Sequence, residues 1–142
     1  MARNGRRKSK PFVRIDKDVL QSAEYARLSP RAVKLLLDIL AQYNGSNNGD
    51  FTCTFSVMKR RGWKSPNTLR RACLELEDAG FLERTRQGGR NKCNLHASSF
   101  YAIDECGGKL DRPPTRKPSN LWRDQVRIAP KISLSSPKFI ST

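Results

Sequence analysis

Two Ser-Pro pairs, Ser29-Pro30 and Ser65-Pro66, constrain this chain more than any other feature. A serine hydroxyl before a helix accepts from the free N–H groups of the first turn. A proline in the first helical position brings a preset φ and has no N–H to satisfy. Each pair therefore marks a helix start. Behind the first run Ala32, Val33, Leu35, Leu36, Leu37, Ile39, Leu40 and Tyr43. That stripe is wide enough for a central buried helix. It stops at Asn44-Gly45, and NGSNNGD has the composition of a loop. Behind the second, Leu69, Ala72, Cys73 and Leu76 recur at helical steps, which gives the helix one buried face. Its other side carries Asn67, Thr68, Arg70, Arg71 and Glu75, and Gly80 ends it.

The segments between and after these helices complete an order. Phe12–Ile15 is strand-like, and Asp16–Ala26 reads as one short helix with Asp16 as its cap. Phe51–Phe55 alternates as a short strand does, and Ser56–Arg61 suits a short helix ended by Gly62. Trp63 then packs in or near the core. Phe81–Gln87 and Cys93–Ile103 read as strands on either side of a Gly88-Gly89-Arg90-Asn91 hairpin turn. Helix, short strand, short helix, tight turn, helix, strand, Gly-rich turn, strand is the order of a winged helix-turn-helix. The expected fold is mainly α with a small β-hairpin wing. Residues 1–11 form a basic disordered arm, 12–103 the domain, and 104–142 a basic, Pro-containing extended tail. Apolar islands in that tail (Leu121-Trp122, Val126, Ile128, Ile132, Leu134, Phe139-Ile140) read as a docking motif for a partner, or as a cover for the domain.

Composition matters for what such a fold would hold. The 142 residues include 28 Lys and Arg against 13 Asp and Glu, a net charge of +15. A small domain ordinarily carries about 2–8. The surplus points to a polyanion, with nucleic acid first and a membrane surface second. It is unevenly placed. Residues 12–58 are neutral, whereas residues 59–92 carry ten basic and four acidic residues. In that block Lys59 and Arg60 are phosphate contacts from the first helix of the pair, or plain surface charge. Lys64, Ser65 and the N–H groups beside them suit a phosphate at the positive end of the next helix. Asn67, Thr68, Arg70 and Arg71 lie where the front of a recognition helix reaches base edges, Arg toward guanine and Asn toward adenine. The acids Glu75, Glu77 and Asp78 come later and read as helical surface. Arg86, Arg90, Asn91 and Lys92 surround the glycine tip of the wing, which is suited to phosphates or the minor groove.

Other classes lack their signals. No apolar run reaches the roughly 18 residues of a membrane span, and no apolar segment follows the basic N-terminus as in a secretory signal. The basic charge does not lie on one amphipathic helix with an aromatic face, so a membrane surface is a poor fit. Cys53, Cys73, Cys93 and Cys106 form no C-x-x-C pair, and His96 is the sole histidine. The cysteines are expected as reduced, partly buried thiols, with no metal and no cofactor. No Ser/His/Asp arrangement, phosphate-cradling loop or carboxylate cluster supports an enzyme.

YARLSPRAVKLLLDILAQYNGSNNGDF and GWKSPNTLRRACLELEDAGFLERTRQGGRNKCNLHA resemble winged-helix proteins of proteobacterial phages, plasmids and integrative elements. In outline they are similar to the N-terminal winged-helix domains of replication initiators. The resemblance covers about residues 12–103. It implies the fold and DNA binding and does not fix the biological process. With the absence of a secretory signal, the expectation is a cytoplasmic, nucleoid-associated protein that binds specific sequences of double-stranded DNA, a transcriptional regulator or replication accessory factor of a mobile element. It permits a homodimer. The alternative is a subunit of a larger DNA or RNA assembly, its winged helix docked on a partner and its tails threaded through the complex.

Overall fold

A computed structural model describes residues 10–123 of the chain. The arm before residue 10 and the apolar islands from Val126 to Ile140 lie outside the described residues. Among the described residues the fold has five α-helices and one antiparallel hairpin: α1 Lys17–Leu20, α2 Ala23–Ala26, α3 Pro30–Leu40, α4 Phe55–Met58, α5 Pro66–Asp78, β1 Leu82–Arg86 and β2 Leu95–Ser98. Among the described residues no helix is long and apolar enough to cross a membrane.

Both Ser-Pro starts are helix starts. Ser29 and Ser65 are extended, and their hydroxyls accept from Ala32 N and Thr68 N, three residues on. Helix α3 buries Ala32, Leu35, Leu36, Ile39 and Leu40, and leaves Leu37 at the surface. It packs on α5, whose buried face is Leu69, Ala72, Cys73 and Leu76. Phe51, Met58, Trp63, Phe81 and Leu82 complete the core around that contact.

Four local expectations change. The helix expected over Asp16–Ala26 is two four-residue helices. Ser22 breaks it: the residue is extended, its hydroxyl donates to Val19 O and accepts from Tyr25 N, and so it caps a new helix instead of continuing the old one. Phe12–Ile15 is not a strand, and Phe12 is exposed. The strand expected over Phe51–Phe55 reduces to one bridge, Phe51 with His96, because Phe55 already opens α4. The strand expected over Cys93–Ile103 stops at Ser98. There the buried Asn48 amide donates to the carbonyls of Ser98, Tyr101 and Ala102 and accepts from Ser98 N, which holds the chain in a turn.

The fifth difference is larger. Residues 104–123 do not run free of the domain. Asp111 N donates to Thr85 O, Thr115 N to Ile103 O and Asn120 N to Ser99 O. Arg112 and Ser119 both bind the buried Glu83 carboxylate. Trp122 is buried and stacks on Phe81, with centroids 6.1 Å apart and planes at 12°. The island Leu121-Trp122 therefore covers the domain's own core.

Candidate nucleic-acid interface

Helix α4 continues into a 3-10 turn over Lys59–Arg61 and ends at Gly62, whose φ of 97° only a glycine adopts cheaply. That reversal sends the chain inward at Trp63. The Trp63 indole N–H donates to Asp38 Oδ2 at 2.8 Å, so the turn is fastened to the last turn of α3. Lys34 Nζ donates to Asp38 Oδ2 at 2.7 Å and to Arg61 O at 2.8 Å, and Arg61 Nε donates to Asp38 Oδ1 at 3.1 Å. Four residues later α5 begins. One buried carboxylate thus fastens the connection between α4 and α5 to α3.

Lys59, Arg60, Lys64, Asn67, Arg70 and Arg71 are exposed on the 3-10 turn, the connection and the front half of α5. Thr68 is half-buried, and Ser65 is committed to its capping bond. On the hairpin, Arg90, Asn91 and Lys92 are exposed around the tip, where Gly89 and Lys92 pair across the turn. Arg86 differs from them. Its Nε and Nη2 both donate to Cys93 O, at 3.2 and 3.0 Å, so it braces the two arms of the hairpin. Two concavities lie among these residues. A groove of about 750 Å³ runs between α5 and the hairpin, with Arg70, Arg84 and Lys92 on its walls. A hollow of about 270 Å³ at the start of α5 gathers Arg31, Lys34 and Lys64 beside Ser65 and Thr68.

Three of the four acids of the same stretch are turned to other work, and the fourth, Asp78, is exposed at the end of α5. Glu75 reaches back to α3 and accepts from Ser29 N and Ser29 Oγ, both at 2.8 Å. Glu77 accepts from Arg84 and meets His96 Nε2 at 2.6 Å. Glu83 is buried under Arg112 and Ser119. The helical surface expected at Glu75, Glu77 and Asp78 holds for Asp78 alone, since Glu75 and Glu77 are half-buried and tied to internal partners. Their partners lie far off in sequence, and helical spacing carries no sign of them. Among the described residues no ion pair involves Lys59, Arg60, Lys64, Arg70, Arg71, Arg90 or Lys92.

No family model matches the chain, and no curated protein or solved structure matches it.

The floor of the groove holds a second constellation. Cys53, Cys73 and His96 bring their donor atoms within 4.8 Å of one another. They come from the segment before α4, the middle of α5 and β2. Burial disfavours the imidazolium of His96, but hydrogen bonding to Cys73 and Glu77 outweighs it and lifts the group to about 9. The Cys53 sulfur and burial push the Cys73 thiol up. His96 Nε2 faces both the thiol and the carboxylate, while Nδ1 is buried without a partner. A Cys–His–acid relay needs the two ring nitrogens to face different partners, so this arrangement does not make one. Sequence spacing missed the cluster because its members stand 20 or more residues apart.

Proposed function

We propose that this chain binds double-stranded DNA as a winged helix. In this reading α4 with its 3-10 turn, the Gly62 reversal and α5 form the helix-turn-helix, and the β1–β2 hairpin is the wing. One observation carries it: across the turn, α5 and the hairpin, Glu75, Glu77 and Glu83 are held by internal partners and only Asp78, at the far end of α5, is an exposed acid, while Lys59, Arg60, Lys64, Arg70, Arg71, Arg90 and Lys92 are exposed and in no ion pair among the described residues. The 13 residues of α5 span about 20 Å, and a helix of that kind fits the roughly 12 Å width of a major groove. Asn67, Arg70 and Arg71 on its front half take the base-reading positions. Lys59, Arg60 and Lys64 take phosphates from one side, with Arg31 added to that group by the hollow at the start of α5. Arg90 and Lys92 take phosphates from the other side. Arg86 acts indirectly, by holding the wing's shape. The role of regulator or replication accessory factor rests on the resemblance of residues 12–103 alone.

Selection of bound sequences from a random duplex pool at physiological salt tests the reading. An enriched motif is expected, and a two-fold symmetric one would add a homodimer. Equal retention of all sequences would overturn sequence-specific binding, and no retention at all would overturn the DNA reading.

A further inference from the structure

We propose that Cys53, Cys73 and His96 bind a zinc ion on the floor of the groove between α5 and the hairpin, with Glu77 as the fourth donor. The site stands on geometry that does not depend on the nucleic-acid reading. Cys73 Sγ lies 3.6 Å from His96 Nε2 and Cys53 Sγ lies 3.2 Å from Cys73 Sγ. With Zn–S near 2.3 Å and Zn–N near 2.0–2.1 Å, a tetrahedral ion separates a sulfur from a nitrogen by about 3.6 Å and two sulfurs by about 3.8 Å. The first edge already fits. The second opens by about half an ångström if Cys53 turns, and Cys53 lies in an irregular, half-buried segment.

Glu77 stands four residues after Cys73 on α5, so both side chains leave the same face of the helix. Its Oε2 is 2.6 Å from His96 Nε2, close enough to share an ion after a small withdrawal. Two thiolates, an imidazole and a carboxylate suit zinc and exclude the hard cations magnesium and calcium, which take oxygen donors. Two thiolates and a carboxylate on Zn²⁺ leave one negative charge. Arg84 sits in place to balance it, with Nε 3.2 Å from Glu77 Oε2 and Nη2 3.3 Å from Oε1. It is the outer partner that metal-bound carboxylates ordinarily have. The groove supplies the entry path. A Cys53–Cys73 disulfide would account for the two sulfurs only, and would leave the placing of His96 Nε2 at 3.6 Å from Cys73 Sγ without a cause. The ion would tie three elements together and fix the hairpin against α5.

The full chain, reduced and freed of metal, is titrated with Co²⁺ and then with Zn²⁺. One equivalent of Co²⁺ is expected to give the intense visible bands of a tetrahedral site with sulfur-to-cobalt charge transfer, and one equivalent of Zn²⁺ to bleach them. Cys53→Ser and His96→Ala are each expected to weaken binding by about a hundredfold or more, and Glu77→Gln by about 10–100-fold. Cys93→Ser and Cys106→Ser are expected to leave it unchanged. Circular dichroism identifies any variant that fails to fold, and the wild-type titration needs none of them. The proposal falls if the reduced wild type takes up neither ion, if its cobalt spectrum lacks charge transfer, or if folded Cys53→Ser binds as well as wild type. Loss of the site in Cys93→Ser would remove Glu77 as fourth donor. Peptide mapping that finds a Cys53–Cys73 disulfide, together with no uptake after reduction, would overturn the site in favour of a redox pair.

Discussion

Asp38 shows how much one residue can hold. Its side chain is 10% exposed and receives Lys34, Arg61 and Trp63 from three directions. Burial pushes its carboxyl up, but the hydrogen bonds from Lys34, Trp63 and Arg61 outweigh burial and leave it below its ordinary value of 3.8. A carboxyl lowered by folding stabilises the native state above its unfolded pKa. That contribution is lost as pH falls through the folded value. Wild type is therefore expected to lose stability below about pH 3.8 by a component that Asp38→Asn lacks. Asp38→Ala, which leaves the buried indole N–H without an acceptor, is expected to cost about 2–3 kcal/mol. Lys34 and Arg61 are about half exposed, so their share is small. Urea denaturation of the three proteins at neutral and acid pH measures both effects, and parallel acid profiles for wild type and Asp38→Asn would refute the assignment. The sequence shows Asp38 only as an interruption in an apolar run. Its partners arrive through packing, and no local pattern carries that information. Trp63 is the reverse case, since a tryptophan in the turn between two helices has almost nowhere to go but the core.

Elements were legible where their signals are local. Ser29-Pro30 and Ser65-Pro66 give the correct helix starts because capping acts within three residues. Gly62 and Gly80 mark the reversals that follow α4 and α5. The strands were read too long because alternation continues past Ser98, while the turn there is held by Asn48, about 50 residues earlier in the chain. The C-terminal segment was misread for a related reason: the apolarity of Leu121-Trp122 was plain, and its destination was not. Gly80 connects the two ends of that problem. Its φ is +82°, and a Cβ there would meet the Leu121 carbonyl carbon and oxygen at 2.7 Å. Gly80→Ala must therefore strain the turn and displace the segment that carries Trp122. A loss of more than about 1 kcal/mol is expected. Trp122→Ala, which empties the space over Phe81, is expected to cost about 3–5 kcal/mol. Both are read from thermal or urea unfolding. If Trp122→Ala unfolds like wild type, residues 104–123 do not belong to the cooperative domain.

At the scale of the molecule, the 28 basic residues behind the charge of +15 include, among the described residues, two kinds. Some hold the fold: Lys34 and Arg61 at Asp38, Arg84 at Glu77, Arg112 at Glu83 and Arg86 at the hairpin carbonyl. A second group, Lys59, Arg60, Lys64, Arg70, Arg71, Arg90 and Lys92, is exposed and in no ion pair among the described residues. Only the second kind can release counterions from a duplex, so salt separates the two. On the DNA reading, log affinity falls linearly with log salt, by about 0.9 for each phosphate neutralised. Arg90→Ala at the hairpin tip is expected to weaken binding to all sequences and to reduce that slope by about one. Arg70→Ala on the front of α5 is expected to cost about 1–3 kcal/mol on a selected sequence, far less on random duplex, and so to relax preference. Arg112→Ala stands as the control. It removes the same formal charge from a residue bound to Glu83, and is expected to lower stability while leaving the slope nearly unchanged. Fluorescence anisotropy across a salt series, with selected and random duplexes, reads all three. If Arg90→Ala and Arg112→Ala shift the slope equally, binding follows net charge alone, and the hairpin makes no contact of its own.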